Sequence, residues 1–127
     1  MSEHKFNVEH TDDRREILTN TTLLDGTEIS IIYLKKGKAI GGCVHGRNEN
    51  FALLKGRAIL VTHKNDVRCL NPGQGGVIEK WTPHAFKAME DSIIMEYGLT
   101  PEEKINSPKD MYLHEWTMKV NKGIEDG

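Results

Sequence analysis

Between Arg15 and Tyr97 the side chains alternate with a period of two and are cut repeatedly by short polar turns. That pattern confines the stretch to β-strands joined by hairpins. Glu28–Leu34 shows it best, with Ile29, Ile31 and Tyr33 on one face and Ser30, Ile32 and Leu34 on the other. A run apolar on both sides is expected where both faces of a sheet are covered. Asp25-Gly26, a strong hairpin signal, joins it to an upstream strand near residues 15–24. Further strands are expected near residues 38–44, 50–54, 57–62, 67–70, 77–80, 84–88 and 92–97, with turns at Lys64-Asn65-Asp66 and over the loop 71–76. Eight or nine short strands of this kind predict an all-β antiparallel barrel or jelly roll. Helix is expected in a short turn near the C-terminus, Thr100-Pro101-Glu102-Glu103-Lys104, and as a candidate stretch of the N-terminal arm. The 127 residues then divide into an arm (1–14), a barrel (15–98) and a C-terminal extension (99–127) of a single domain.

Charge and composition narrow the partners. Seventeen basic against nineteen acidic residues give a net charge of -2, and no basic stretch is dense enough for a nucleic acid. No run approaches the roughly 18 apolar residues of a membrane span, and Met1-Ser2-Glu3-His4-Lys5 opens no apolar signal core. A cytoplasmic protein with no membrane partner is expected. Cys43 and Cys69 are accordingly expected as free thiols.

Chemistry concentrates in Gly37, Cys43, His45, Glu49 and Gly56, spaced G-x5-C-x-H-x3-E-x6-G, with His84 following 28 residues after Gly56. Cys43 and His45 are two apart, so on one strand both leave the same face. The polar break Gly46-Arg47-Asn48 looks like a turn that returns Glu49 beside them, and Gly56 supplies the positive φ of the next tight connection. Thiolate, imidazole, carboxylate and imidazole form a plausible ligand set for iron, zinc, nickel or manganese. A structural hydrogen bond across the hairpin would also account for His45 and Glu49, and a buried strand position for Cys43.

Residues 37–98 resemble the cupin superfamily, and within it the small cupins of nucleotide-sugar metabolism such as the dTDP-sugar 3,4-ketoisomerases. Their pattern R-G-G-H-x-H-x3-E/x-Q-F is similar to Ile40-Gly41-Gly42-Cys43-Val44-His45-Gly46-Arg47-Asn48-Glu49-Asn50-Phe51, in which Cys43 stands at the first histidine and Ile40 at the arginine. In the second motif Gly73 and His84 are correctly separated, while Glu79, Trp81 and Ala88 replace the usual proline, glycine and asparagine. The resemblance implies a jelly-roll fold and a homodimer formed through the outer sheet, for which residues 29–34 are suited. It also implies proton transfer between sugar carbons, in which the family uses a histidine pair and this chain has Cys43 in place of one member. Lys38, Arg47 or Arg57 would have to supply the positive charge that Ile40 lacks.

Three functions follow as expectations. The first is an isomerase or epimerase acting on a nucleotide-linked or related sugar, with His45, His84 and Cys43 as catalytic groups and no required metal. The second is a metal-dependent cupin, an oxygenase or a lyase, with Cys43, His45, Glu49 and His84 as ligands. The third is a non-catalytic binder of small molecules. His4, His10, His63 and His114 show no ligand spacing and are expected at the surface. Ile93, Met95 and Tyr97 share a face expected to line the barrel.

Overall fold

The structure, a computed structural model, describes residues 10–63 and 66–123. Strands β1 (His10–Thr11), β2 (Arg15–Thr22), β3 (Glu28–Leu34), β4 (Ala39–Cys43), β5 (Glu49–Lys55), β6 (Ala58–Thr62), β7 (Asp66–Leu70), β8 (Gly75–Ile78), β9 (His84–Ala88) and β10 (Ser92–Leu99) precede helices α1 (Pro101–Ile105) and α2 (Met111–Asn121). One sheet has the order β1-β2-β3-β10-β5-β8 and the other β4-β9-β6-β7, antiparallel throughout. The all-β jelly roll expected from the alternation is the fold observed. Residues 10–14 of the arm hold β1 and a turn; the remainder of the helical candidate there, and Lys64 and Asn65 of the expected turn, lie outside the described residues.

Local chemistry fixes the connections. Asp25 accepts from both the backbone N–H and the hydroxyl of Thr27, and Gly26 takes φ 87°, closing the β2–β3 hairpin. Gly56 takes φ 86°, and a Cβ there would stand 2.3 Å from the Asp91 carbonyl oxygen. No other residue fits that turn.

The two sheets bury one core between them, with Ile32, Leu34, Phe51 and Ile94 from the larger sheet meeting Ile40, Leu60 and Phe86 from the smaller. Phe51 and Phe86 meet edge to face at 5.5 Å. Strand β6 is apolar on both faces because Ile59 and Val61 point the other way, into a second cluster with Leu113 of α2 and half-buried Trp116.

Helix α2 departs from expectation, since only the short turn that became α1 is legible as helix near the C-terminus. Asp110 caps α2 by accepting from the Leu113 N–H at 3.0 Å, and Leu113, Thr117 and Val120 form its buried stripe. That stripe is short and interrupted by a threonine, so periodicity alone is a weak signal. The helix shields the β4 edge: Asn121 exchanges side-chain hydrogen bonds with the N–H and C=O of Ala39, while Val44 N–H and Gly42 C=O bond to the 108–110 segment. These contacts occupy the edge groups that would otherwise template another strand.

Strand β10 also corrects an expectation. Its inward face is Ser92, Ile94 and Glu96, as shown by the pairing of Glu96 with buried Ser30 and Phe51. Ile93, Met95 and Tyr97 instead face outward beside Tyr33, Ile31 and Ile29. The outer face is the more apolar of the two, which inverts the sequence signal.

Candidate metal centre

The double glycine positions the site. Gly41 and Gly42 take φ 115° and 90°, and a β-bulge there sets Cys43 opposite His84 in the β4–β9 ladder. A Cβ on Gly42 would lie 2.9 Å from the His114 Cα, so the bare backbone is also what lets α2 approach. Strand β4 ends at Cys43, and His45 lies two residues beyond it in the loop before Glu49, the first residue of β5. His84 is the first residue of β9. Glu49 and His84 therefore sit at strand starts, with His45 in the loop between β4 and β5, all at one mouth of the barrel.

His45, Glu49 and His84 converge there, their ligand atoms all within 4.8 Å of one another. Glu49 Oε1 is 3.1 Å from His84 Nε2 and 3.6 Å from His45 Nε2, and the three side chains are 4%, 4% and 10% exposed for Glu49, His84 and His45 respectively. Cys43 is not in this group. It is half-buried, lines the same cavity, and burial pushes its thiol pKa up, with Lys109 opposing. The other cysteine, Cys69, is free and exposed.

Hydrogen bonds assign the tautomers. The Ser107 hydroxyl donates to the Glu103 carbonyl, so its lone pairs accept from His45 Nδ1–H at 2.5 Å. His84 Nδ1 faces the Thr82 carbonyl at 3.1 Å, which can only accept, so that nitrogen also carries its proton. Both rings thus turn Nε2 toward the same carboxylate oxygen. Burial keeps His45 neutral by lowering its pKa. Burial also disfavours the charged form of His84, but the Glu49 carboxylate and the Thr82 carbonyl outweigh it and raise its pKa. A proton on His84 satisfies one of the two contacts to Glu49; a divalent cation satisfies all three ligands at once. The donor set and its outer hydrogen bonds fit a metal.

A cavity of about 370 Å³ opens over this centre. Besides His45, His84 and Cys43, its walls include Glu96, whose carboxyl is raised to about 7 by burial and the nearby Glu49 carboxylate, against His84, Lys104 and Arg15. Sequence reasoning missed Glu96, although continuing the Ser92, Ile94 alternation would have found it. It also missed Ser107, which lies in a loop without periodicity. His114, expected at the surface, is half-buried and lines the cavity, because α2 carries it there. His10 and His63 are exposed, and His4 lies outside the described residues. The cations considered from sequence bond elsewhere: Lys38 to the Asn121 carbonyl, Arg47 to Glu103 and Arg57 to Glu90.

Comparison with known proteins gives a consistent picture of the architecture. No family model and no curated relative matches the sequence. Among solved structures, an RmlC-like cupin from Desulfovibrio desulfuricans is similar at 21% identity and TM-score 0.62, covering 76% of this chain and 94% of its own. A double-stranded β-helix protein from Klebsiella pneumoniae is similar at 15% identity and TM-score 0.61, covering 76% and 85%. The iron(II) form of HppE is similar at 18% identity and TM-score 0.52, covering 65% of this chain and 47% of that one. With two antiparallel sheets closed on one core and superposing on such proteins over most of its described length, this chain has the cupin fold, the RmlC-like double-stranded β-helix.

Proposed function

We propose that the protein is a divalent-metal cupin that binds a small molecule in its barrel and transforms it, as an oxygenase or a lyase, at His45, Glu49 and His84. One observation carries the reading: three acceptors converge within 4.8 Å, and both imidazoles are oriented by acceptors on their far nitrogens. Two histidines and one carboxylate, without the thiolate, form a set suited to iron(II) or manganese and less selective for soft metals. The similarity to the iron(II) form of HppE supports iron as the first metal to test. A bound cation would supply Lewis acidity or, for iron, access to oxygen chemistry. The chain's own contribution is to hold the three ligands, to exclude water with the apolar floor of Ile40 and Phe86, and to place the Glu96 carboxyl in the cavity wall.

Elemental analysis of untagged protein tests this reading. Expected is about one equivalent of a transition metal, removed by chelator together with turnover. Absence of binding for iron(II), manganese, zinc and nickel alike would sink it.

The isomerase or epimerase reading stays as a second one, supported by Glu96 and the His84–Glu49 pair, which could exchange protons without metal. A cavity of about 370 Å³ is at the lower end for small-molecule sites, so the nucleotide half of a nucleotide sugar would extend outside it. Turnover that survives complete chelation would favour this second reading.

A further inference from the structure

The turn between β8 and β9 holds a side chain in a backbone conformation that such a residue rarely adopts. Trp81 takes φ 64°, in the left-handed region where a bulky residue is an outlier, and its indole is 62% exposed. Burial in the core therefore does not hold it there. Strain of this kind persists only where neighbouring contacts over-determine it, and it gathers at functional sites.

The contacts lead to the metal centre. Three consecutive residues each bond beside a different ligand. Lys80 N–H donates to the Asn48 side chain at 2.8 Å, next to Glu49, and Trp81 N–H donates to the His45 carbonyl at 2.7 Å. The Thr82 carbonyl accepts from His84 Nδ1–H at 3.1 Å, while its own N–H closes the turn on the Glu79 carbonyl at 3.1 Å. The indole lies on Gly46, where a Cβ would stand 3.0 Å from Cη2 and 3.2 Å from Cζ2, so a bare backbone beside His45 is what lets the ring come this close. Glu79 stands where the resembling motif has proline. The turn thus has no fixed ring in its backbone to stiffen it and takes its stiffness from the indole.

We propose that Trp81 is a positioning residue of the centre: packed on Gly46, it locks the turn that orients His45 and His84 together. The inference rests on the reading of His45, Glu49 and His84 as a metal centre, and adds a residue that acts through the backbone of one ligand and the turn before another. Without the indole the turn is free to shift, and the two rings lose their common aim at Glu49.

Two substitutions in the full chain test this. Glycine takes a positive φ without steric cost, so Trp81→Gly removes the indole and relieves the backbone at once. Its melting temperature after chelation is expected to be no lower than that of the unaltered protein, while metal affinity, read by competition with a chelating dye, falls about tenfold or more. Trp81→Phe keeps a ring over Gly46 and is expected to retain most of the affinity. Nitrogen NMR of the chelated protein, with both rings neutral, gives a second readout that needs no metal. Expected are single Nδ1–H tautomers of His45 and His84 in the unaltered protein and in Trp81→Phe, and a mixture in Trp81→Gly. If the unaltered protein binds no metal, the metal reading falls and the tautomers alone decide this proposal. Tautomers unchanged in Trp81→Gly would overturn it, as would unchanged metal affinity in that variant. An affinity loss matched by a lowered melting temperature in both variants would mark Trp81 as merely structural and overturn it too.

Discussion

His84 Nε2 lies 3.1 Å from Glu49 Oε1 while its Nδ1 is held by the Thr82 carbonyl, so one buried ring is aimed by an acceptor on each side. A neutral imidazole cannot donate to both. The contact needs either a proton shared between ring and carboxylate or a cation in its place, and the two alternatives compete.

Metal retention should therefore depend on these residues and not on Cys43. His45→Ala, Glu49→Ala and His84→Ala are each expected to lose the metal, because two ligands leave the site open, whereas Cys43→Ala should keep it. Plasma mass spectrometry on dialysed protein reads the result. Loss of metal in Cys43→Ala would place the thiol among the ligands.

Ser107 acts on the centre through His45. Its hydroxyl accepts from Nδ1–H and passes the bond to the Glu103 carbonyl, so Ser107→Ala frees the ring to rotate. Metal affinity is expected to fall by about 10- to 100-fold with little change in melting temperature. Competition with a chelating dye measures it.

Glu96 should leave a pH signature on stability in the chelated protein. Its carboxyl is raised to about 7 in the fold, against about 4.3 when unfolded, so the native state binds the proton more tightly between those values. Stability should consequently fall as pH rises from about 4.3 to about 7 and level off above. Glu96→Gln removes that slope, with a relative gain at pH 8 of about 1 to 3 kcal/mol. Urea unfolding at several pH values checks it; a slope unchanged in the variant would contradict the assignment.

The outward apolar face of the larger sheet is expected to pair two copies. Ile29, Ile31, Ile93 and Met95 are half-buried there, in register across β3 and β10, and Tyr97 is exposed beside them. Light scattering should give a dimer at micromolar concentration, and Ile31→Asp a monomer.

Gly42 should tolerate no side chain. At φ 90° with the His114 backbone 2.9 Å from a would-be Cβ, Gly42→Ala must move α2 or strain the bulge. Expected is a loss of about 1 to 3 kcal/mol in denaturant unfolding.

The β-architecture was readable because strand parity is local: each hydrophobic alternation between Asp25-Gly26 and the final strand reports its own two faces, and Gly56 announces its turn by what no other residue can do there. His45 and Glu49 were readable for a related reason, since a short turn returns the chain beside itself, whereas His84, 35 residues from Glu49, was readable through the second motif of the family resemblance. Tertiary structure decided the rest. Parity identifies two faces without saying which one is inside, and on β10 the apolar face turned outward while Glu96 went in. The bulge at Gly41-Gly42 shifted the β4 register, and the converging group of His45, Glu49 and His84 does not include Cys43. The segment before helix α2 brought Lys109, and α2 itself His114 and Thr117, to a barrel mouth far from them in sequence. Such long-range meetings depend on which surfaces pack, and no local period encodes them.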